Sequence, residues 1–211
     1  METLFARSAA VAAVALLSQP ALAHHVMDGA MPQTFMDGLL SGLGHPIIGV
    51  DHLAFIIAVG FAAVFAGQRL LSPLAFIAAT LAGCALQLGG IGLPLAEIVI
   101  AGSIVLLGGM VLSGRSISLT VYLAVFAVAG LFHGWAYGGS IIGAENTPLA
   151  AYLIGFAVIQ YAIAQAAAWL TVAVWKASDP SAIKPRLAGA VAAGVGAAFL
   201  VENIEGLLFA A

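Results

Sequence analysis

The segment HPIIGVDHLAFIIAVGFAAVFAG, residues 45–67, decides the fold class of this chain. It is an apolar run of roughly the 20 residues that cross a hydrocarbon core about 30 Å thick. Its first two turns nevertheless contain His45, Asp51 and His52. A charged side chain inside a bilayer costs several kcal/mol unless it is paired, neutralised or bound to an ion. The segment therefore predicts a membrane helix that carries a polar site near one end.

The composition extends this prediction to the whole chain. Of its 211 residues, 63% are hydrophobic and 7% are charged, against about 25% charged residues in an average soluble domain. Six apolar runs each predict a helix, because hydrocarbon tolerates no unpaired backbone groups. Pro46, Pro73 and Pro148 are expected in first helical turns, where a missing N–H is tolerated. The predicted fold class is all-α: a polytopic membrane helix bundle with six transmembrane helices after a cleaved signal peptide. The runs lie near 46–67, 73–92, 95–113, 117–136, 148–175 and 187–209.

The amino-terminal residues have the layout of a secretory signal. Arg7 precedes a short apolar stretch, and the small-residue ending Ala21-Leu22-Ala23 follows it. We expect cleavage after Ala23, and a retained short first helix is the alternative. The predicted organisation is a signal peptide over 1–23, a periplasmic N-terminal segment over 24–45 and a six-helix transmembrane domain over 46–211.

The basic residues predict the orientation. Every Lys and Arg after residue 23 falls in the connections between runs one and two, three and four, or five and six, helix ends included. Connections rich in Lys and Arg face the cytoplasm. We therefore predict a multi-pass protein of the bacterial cytoplasmic (inner) membrane, with both termini periplasmic after signal cleavage. These basic residues are Arg69, Arg115, Lys176, Lys184 and Arg186.

Polar residues of other runs are expected at the same outer depth. His133 is near the outer end of run four, and Glu145 follows that run in the connection to run five. Glu202 and Glu205 are spaced three residues apart in run six, which places them on one side of a helix. Imidazole and carboxylate groups suit divalent Ni, Co, Zn or Cu. The pattern predicts a metal-ion site in the outer half of the bundle.

The two histidines of run one cannot share an ion on a regular helix. His45 and His52 lie on nearly one face but about 10 Å apart along the axis. Either the helix is broken between Pro46 and Gly49, or the two histidines are successive stations on a path. Our hypothesis makes Asp51 and His52 the core of the site, joined by His133, with His45 as the outer station.

The predicted periplasmic segment has two interpretations. His24 and His25 start it and could hand a metal ion to His45, and the Met residues that follow would suit Cu(I). Alternatively it is an ordinary tail whose stretch QTFMDGLLSGLG lies on the membrane surface. The Met residues are Met27, Met31 and Met36.

These motifs resemble those of the hydrogenase and urease accessory permeases of the HupE/UreJ family. The resemblance covers nearly the whole chain after the signal, from HPIIGVDH in the first span to FHGWAYG at the end of the fourth. Many members have a second histidine where Tyr137 stands, with an acidic residue soon after, whereas Glu145 comes later here. The resemblance implies a secondary permease for nickel or cobalt that feeds metalloenzymes such as hydrogenase or urease, or cobalamin.

The function predicted from the sequence is thus transport of a divalent metal ion, with no enzyme activity and no prosthetic cofactor. Ni2+ or Co2+ is the substrate, and the expected partners are that ion and the lipid bilayer, without nucleic acid. A homo-oligomer stays open. An alternative is an intramembrane metal-dependent hydrolase, in which His45, His52 and His133 hold zinc and Asp51 or Glu202 activates water. A metal-bound sensor or accessory subunit also stays open.

Overall fold

The structure is a computed structural model that describes residues 31–209, and these residues form seven α-helices without any strand. The predicted all-α class is confirmed. A π-helical segment, Leu170–Val174, extends the sixth helix. The α-helices are α1 (Phe35–Ile48), α2 (Val50–Phe65), α3 (Ser72–Leu88), α4 (Ala96–Ser113), α5 (Leu119–Gly139), α6 (Asn146–Trp169) and α7 (Ile183–Phe209).

The helices α4, α5, α6 with its π-helical extension, and α7 are long and apolar enough to cross a membrane. The pair α1 and α2 passes the same test together, although the two helices are bent by 82°. The pair raises the count to five if it forms one span, and α3 is a shorter apolar helix of 17 residues. The chain is a multi-pass membrane protein. The count of six spans stays a prediction, and the signal peptide lies outside the described residues.

The first predicted run is broken, which was one of the two alternatives for it, and its helix starts at Phe35 instead of residue 46. Gly49 separates α1 from α2 and has extended backbone, with φ −72° and ψ 100°. Pro46 lies in the last turn of α1 instead of a first turn, whereas Pro73 and Pro148 do lie in first turns. A Cβ atom at Gly49 would come 2.9 Å from Cδ2 of His52. The absence of a side chain at the break therefore lets the His52 ring lie against it.

The stretch before the break is a helix packed in the bundle. Thr34 caps α1: its hydroxyl accepts from the Asp37 N–H, and the Asp37 carboxylate accepts from the Thr34 N–H at 2.9 Å. Gly38 and Gly42 then lie directly against backbone carbonyls of α6. Most of the stretch QTFMDGLLSGLG, residues 33–44, therefore belongs to α1, and α1 packs along α6.

Close glycine contacts join the helices in pairs, because small residues let membrane helices approach backbone to backbone. Gly134 of α5 lies on α3, and Gly189 and Gly196 of α7 lie on α4, whereas Gly194 meets nothing within 4 Å. α2 runs through the interior and is buried over most of its length. Its first turn therefore carries Asp51 into the bundle, where the residue is only 6% exposed.

Candidate functional site

Two histidines from different helices meet inside the bundle. Nδ1 of His52 on α2 lies 2.7 Å from Nδ1 of His133 on α5. His133 is fully buried, and its Nε2 lies 3.0 Å from the hydroxyl oxygen of Ser103 on α4. Three helices thus hold one connected row of polar groups.

The hydrogen-bond network assigns the tautomers of both rings. Ser103 donates its single hydroxyl hydrogen to the Ile100 carbonyl at 2.7 Å, so its oxygen accepts from Nε2 of His133. A neutral His133 then accepts at Nδ1, and His52 must donate from its own Nδ1. Nε2 of a neutral His52 is left with an unshared electron pair.

The free nitrogen of His52 faces a carboxylate. Nε2 of His52 lies 3.9 Å from Oδ2 of Asp51, which is too long for a hydrogen bond. The other oxygen, Oδ1, is buried without a hydrogen-bond partner. Asp51 lies in the first turn of α2, where the positive end of the helix dipole stabilises a negative charge. No Lys or Arg in residues 31–209 is buried. Within residues 31–209, the carboxylate and the imidazole nitrogen therefore face each other without a buried Lys or Arg to balance the negative charge.

His45 belongs to a second polar cluster. Its Nδ1 lies 2.9 Å from the Tyr152 hydroxyl and 3.1 Å from the Ser140 hydroxyl. The ring of Tyr137 lies between this cluster and His52, with centroid distances of 4.8 Å to His45 and 4.2 Å to His52. Tyr137 is fully buried, and its hydroxyl has no hydrogen-bond partner. The break at Gly49 thus does not bring the two histidines into contact.

The remaining predicted ligands lie apart from this site. Glu145 is exposed just before α6, and its side chain does not cap the helix. Glu202 and Glu205 are exposed on α7, whose buried residues end at Gly196. Over residues 31–209, no three His, Cys, Asp or Glu side chains come together in a group able to hold a metal ion. His24 and His25 lie outside the described residues.

Comparison with known proteins identifies the family. The family model described as HupE / UreJ protein matches residues 12–199. This chain belongs to the HupE/UreJ family. It is 32% identical to Protein HupE of Rhizobium leguminosarum bv. viciae over 194 residues, which cover 89% of this chain and 95% of that protein. No solved structure matches the chain.

Membership of the HupE/UreJ family places the chain among transporter-type accessory proteins. The family match includes His45, Asp51, His52 and His133, and it ends before the two glutamates of α7. Hydroxyl groups that hydrogen-bond these histidines in this HupE/UreJ protein were not predicted from the sequence. An available signal was the presence of isolated hydroxyl residues in otherwise apolar runs, and those that contact a histidine are Ser103, Ser140 and Tyr152.

Proposed function

We propose that this HupE/UreJ protein is a secondary permease that moves nickel or cobalt ions from the periplasm to the cytoplasm. The observation that supports it is the pairing of Nε2 of His52, free of a proton, with the buried carboxylate of Asp51. The two groups come from consecutive residues of α2, directly after the break at Gly49. A cation captured there supplies the positive charge that balances the carboxylate.

The spacing of the two groups suits a transition-metal ion. Zinc, an ion of similar size, binds imidazole nitrogen and carboxylate oxygen at about 2.0–2.2 Å. One ion therefore fits between Nε2 of His52 and Oδ2 of Asp51, 3.9 Å apart. The nitrogen ligand favours Ni2+ or Co2+ over Mg2+ or Ca2+, which prefer oxygen.

In this geometry His133 acts through His52. Its two ring nitrogens are already engaged by Ser103 and His52, so it holds the orientation and tautomer of the His52 ring. A group that hydrogen-bonds the other ring nitrogen of a metal-binding histidine commonly fixes the orientation of that ring. His45, beyond the Tyr137 ring, is the outer station of the path.

The membrane potential can drive this transport. The sequence contains no GxxxxGK[ST] phosphate-binding loop. For a divalent cation moving inward, an interior-negative potential of 100 mV supplies roughly 4.6 kcal/mol. At about 1.4 kcal/mol per decade, that favours uptake over roughly three decades of concentration. The distribution of Lys and Arg supports the inward direction and the periplasmic termini.

The hydrolase alternative receives less support from the geometry. It requires His45, His52 and His133 around one zinc ion with an open position. The ring of Tyr137 lies between His45 and His52, and both nitrogens of His133 have other partners. A permease needs only a site that binds and then releases the ion.

Reconstituted vesicles test the proposal. The purified protein in liposomes with an interior-negative potassium diffusion potential should accumulate radioactive nickel or cobalt above protein-free liposomes, in a saturable manner. Asp51→Asn keeps the side-chain size but removes the charge, so its uptake should fall to the level of protein-free liposomes. Absence of uptake by the wild type under this potential would contradict the permease function.

The two glutamates of α7 give a separate prediction. Glu202→Gln and Glu205→Gln should each keep uptake within about twofold of the wild type, because exposed carboxylates away from a site contribute little to it. The measurement is the initial rate of nickel uptake at equal protein content, with Asp51→Asn as the inactive reference. A tenfold loss in either variant would place that glutamate on the ion path, as the sequence argument expected.

A further inference from the structure

One side of α6 carries a row of residues that begins beside His45 and continues beyond the level of His52. Tyr152, Phe156 and Gln160 follow one another at intervals of four residues, which advance about 6 Å per step. The hydroxyl of Tyr152 is hydrogen-bonded to His45. The ring of Phe156 lies 4.6 Å from the ring of Tyr137, and Tyr137 in turn contacts His52. Gln160 is therefore the next residue on this side, one turn beyond the histidines.

The amide of Gln160 is fully buried, and its orientation is fixed by its neighbours. Its Nε2 donates to the Phe156 carbonyl at 3.0 Å and to the Thr80 hydroxyl oxygen at 3.3 Å. Thr80 donates its own hydrogen to the Ile77 carbonyl at 2.8 Å. Both neighbours are thus acceptors, so the NH2 group must face them and Oε1 must occupy the other end of the amide.

This second end of the amide has no protein partner. Oε1 of Gln160 is buried without a hydrogen bond. A buried acceptor left unpaired destabilises a fold, and an apolar side chain of the same size would avoid that cost. The amide is linked to the helix of His133 through Thr80, which packs against Gly134, the residue that follows His133. An unpaired oxygen at this place has the properties of a ligand.

We propose that Oε1 of Gln160 is an oxygen station for the transported divalent ion, one helical turn beyond the Asp51 and His52 pair. The proposal rests on the permease function and adds the step after capture. An amide oxygen carries no net charge and binds these ions less strongly than imidazole. Conduction needs sites that bind an ion and release it again. Gln160 thus lets the ion leave the nitrogen ligand without becoming trapped.

Replacement of the amide by an apolar side chain of equal length tests the station. Gln160→Met should lower the maximal rate of nickel uptake about tenfold or more, a loss typical of a removed metal-site partner. The half-saturating concentration should stay within about twofold, because capture at Asp51 and His52 is unchanged. A purely structural amide predicts the opposite: an unchanged rate, with an equal or higher unfolding temperature.

The same helix offers a matched control. Gln165 is half-buried, and its amide nitrogen donates to the Arg69 carbonyl at 3.0 Å, away from both histidine clusters, so Gln165→Met should leave uptake unchanged. A wild-type rate in Gln160→Met at matched protein content overturns the station. Absence of uptake by the wild type instead overturns the permease function, so the two failures are distinct.

A second variant tests whether the side chain at position 160 binds the ion if Gln160→Met does not fold. Gln160→Glu keeps an oxygen at the same reach and adds negative charge. The purified variant should therefore retain more nickel per protein than the wild type after gel filtration, measured by elemental analysis. Retention equal to that of the wild type overturns the proposal.

Discussion

His52→Ala abolishes saturable nickel and cobalt uptake at every metal concentration, whereas His45→Ala leaves transport intact but requires more metal. This is the result we expect in vesicles of equal protein content. His52 supplies the free nitrogen beside Asp51, so no concentration of metal replaces it. His45 lies in a separate cluster beyond Tyr137, and its loss weakens capture. The half-saturating concentration should rise roughly tenfold, as for other residues that support a metal site.

His52→Phe separates ligation from packing. Phenylalanine keeps an aromatic ring against Tyr137 and His133 but has no nitrogen. It should be as inactive as His52→Ala if the nitrogen binds the ion. Normal uptake by His52→Phe would show that the ring only packs, and the proposed site would be wrong. Equal inactivity of His45→Ala and His52→Ala would instead point to one shared site and contradict the separate outer station.

The parts of the fold that could be predicted depend on local sequence. Hydropathy summed over about 20 residues finds apolar helices without knowledge of their neighbours. The motif HPIIGVDH likewise predicted Asp51 and His52 near one end of an apolar helix, and α2 begins at Val50. The break after Ile48 was one of two alternatives for the same motif. The extended backbone at Gly49 selects the break, yet the Tyr137 ring still separates the histidines.

Contacts between helices could not be predicted, because they depend on the rotation of each helix in the bundle. The glutamates of α7 illustrate this. A spacing of three residues places Glu202 and Glu205 on one side of the helix, without saying which side packs. The packed side is marked by Gly189, Ala192 and Gly196, and the same period continues to Asn203, which is half-buried. The structure therefore places both carboxylates off the packed side, which their spacing alone did not show.

The hypothesis from the sequence joined His133 to Asp51 and His52, but it did not include Ser103. Ser103, His133 and His52 come from different helices, and an isolated hydroxyl residue in an apolar run does not show which histidine it contacts. Ser103 is close to His133 only because α4 and α5 both pack around α2. The positions of the protons on the two rings, and thus the free nitrogen of His52, follow only from the contacts in the structure.

Gly134→Ala should be the most damaging change outside the polar residues. A Cβ at this position would collide with the backbone carbonyl of Thr80, and backbone atoms of a packed helix cannot move aside cheaply. Overpacking of this kind costs about 1–3 kcal/mol, which lowers the unfolding temperature of a chain of this size by roughly 2–12 °C. Separation of α5 from α3 would also displace His133, the adjacent residue, from His52. We therefore expect a lower unfolding temperature and a loss of nickel uptake together.

Gly139→Ala is the matched control in the same helix. A Cβ there meets only Nε2 of Gln87 at 3.7 Å, an ordinary van der Waals contact. Its unfolding temperature and uptake should equal those of the wild type, measured by thermal unfolding in detergent and by uptake in vesicles. If Gly134→Ala were as stable and as active as Gly139→Ala, the close contact of α3 and α5 would not be what holds His133 against His52. The row of polar groups would then need another support, because Ser103 contacts His133 from α4 alone.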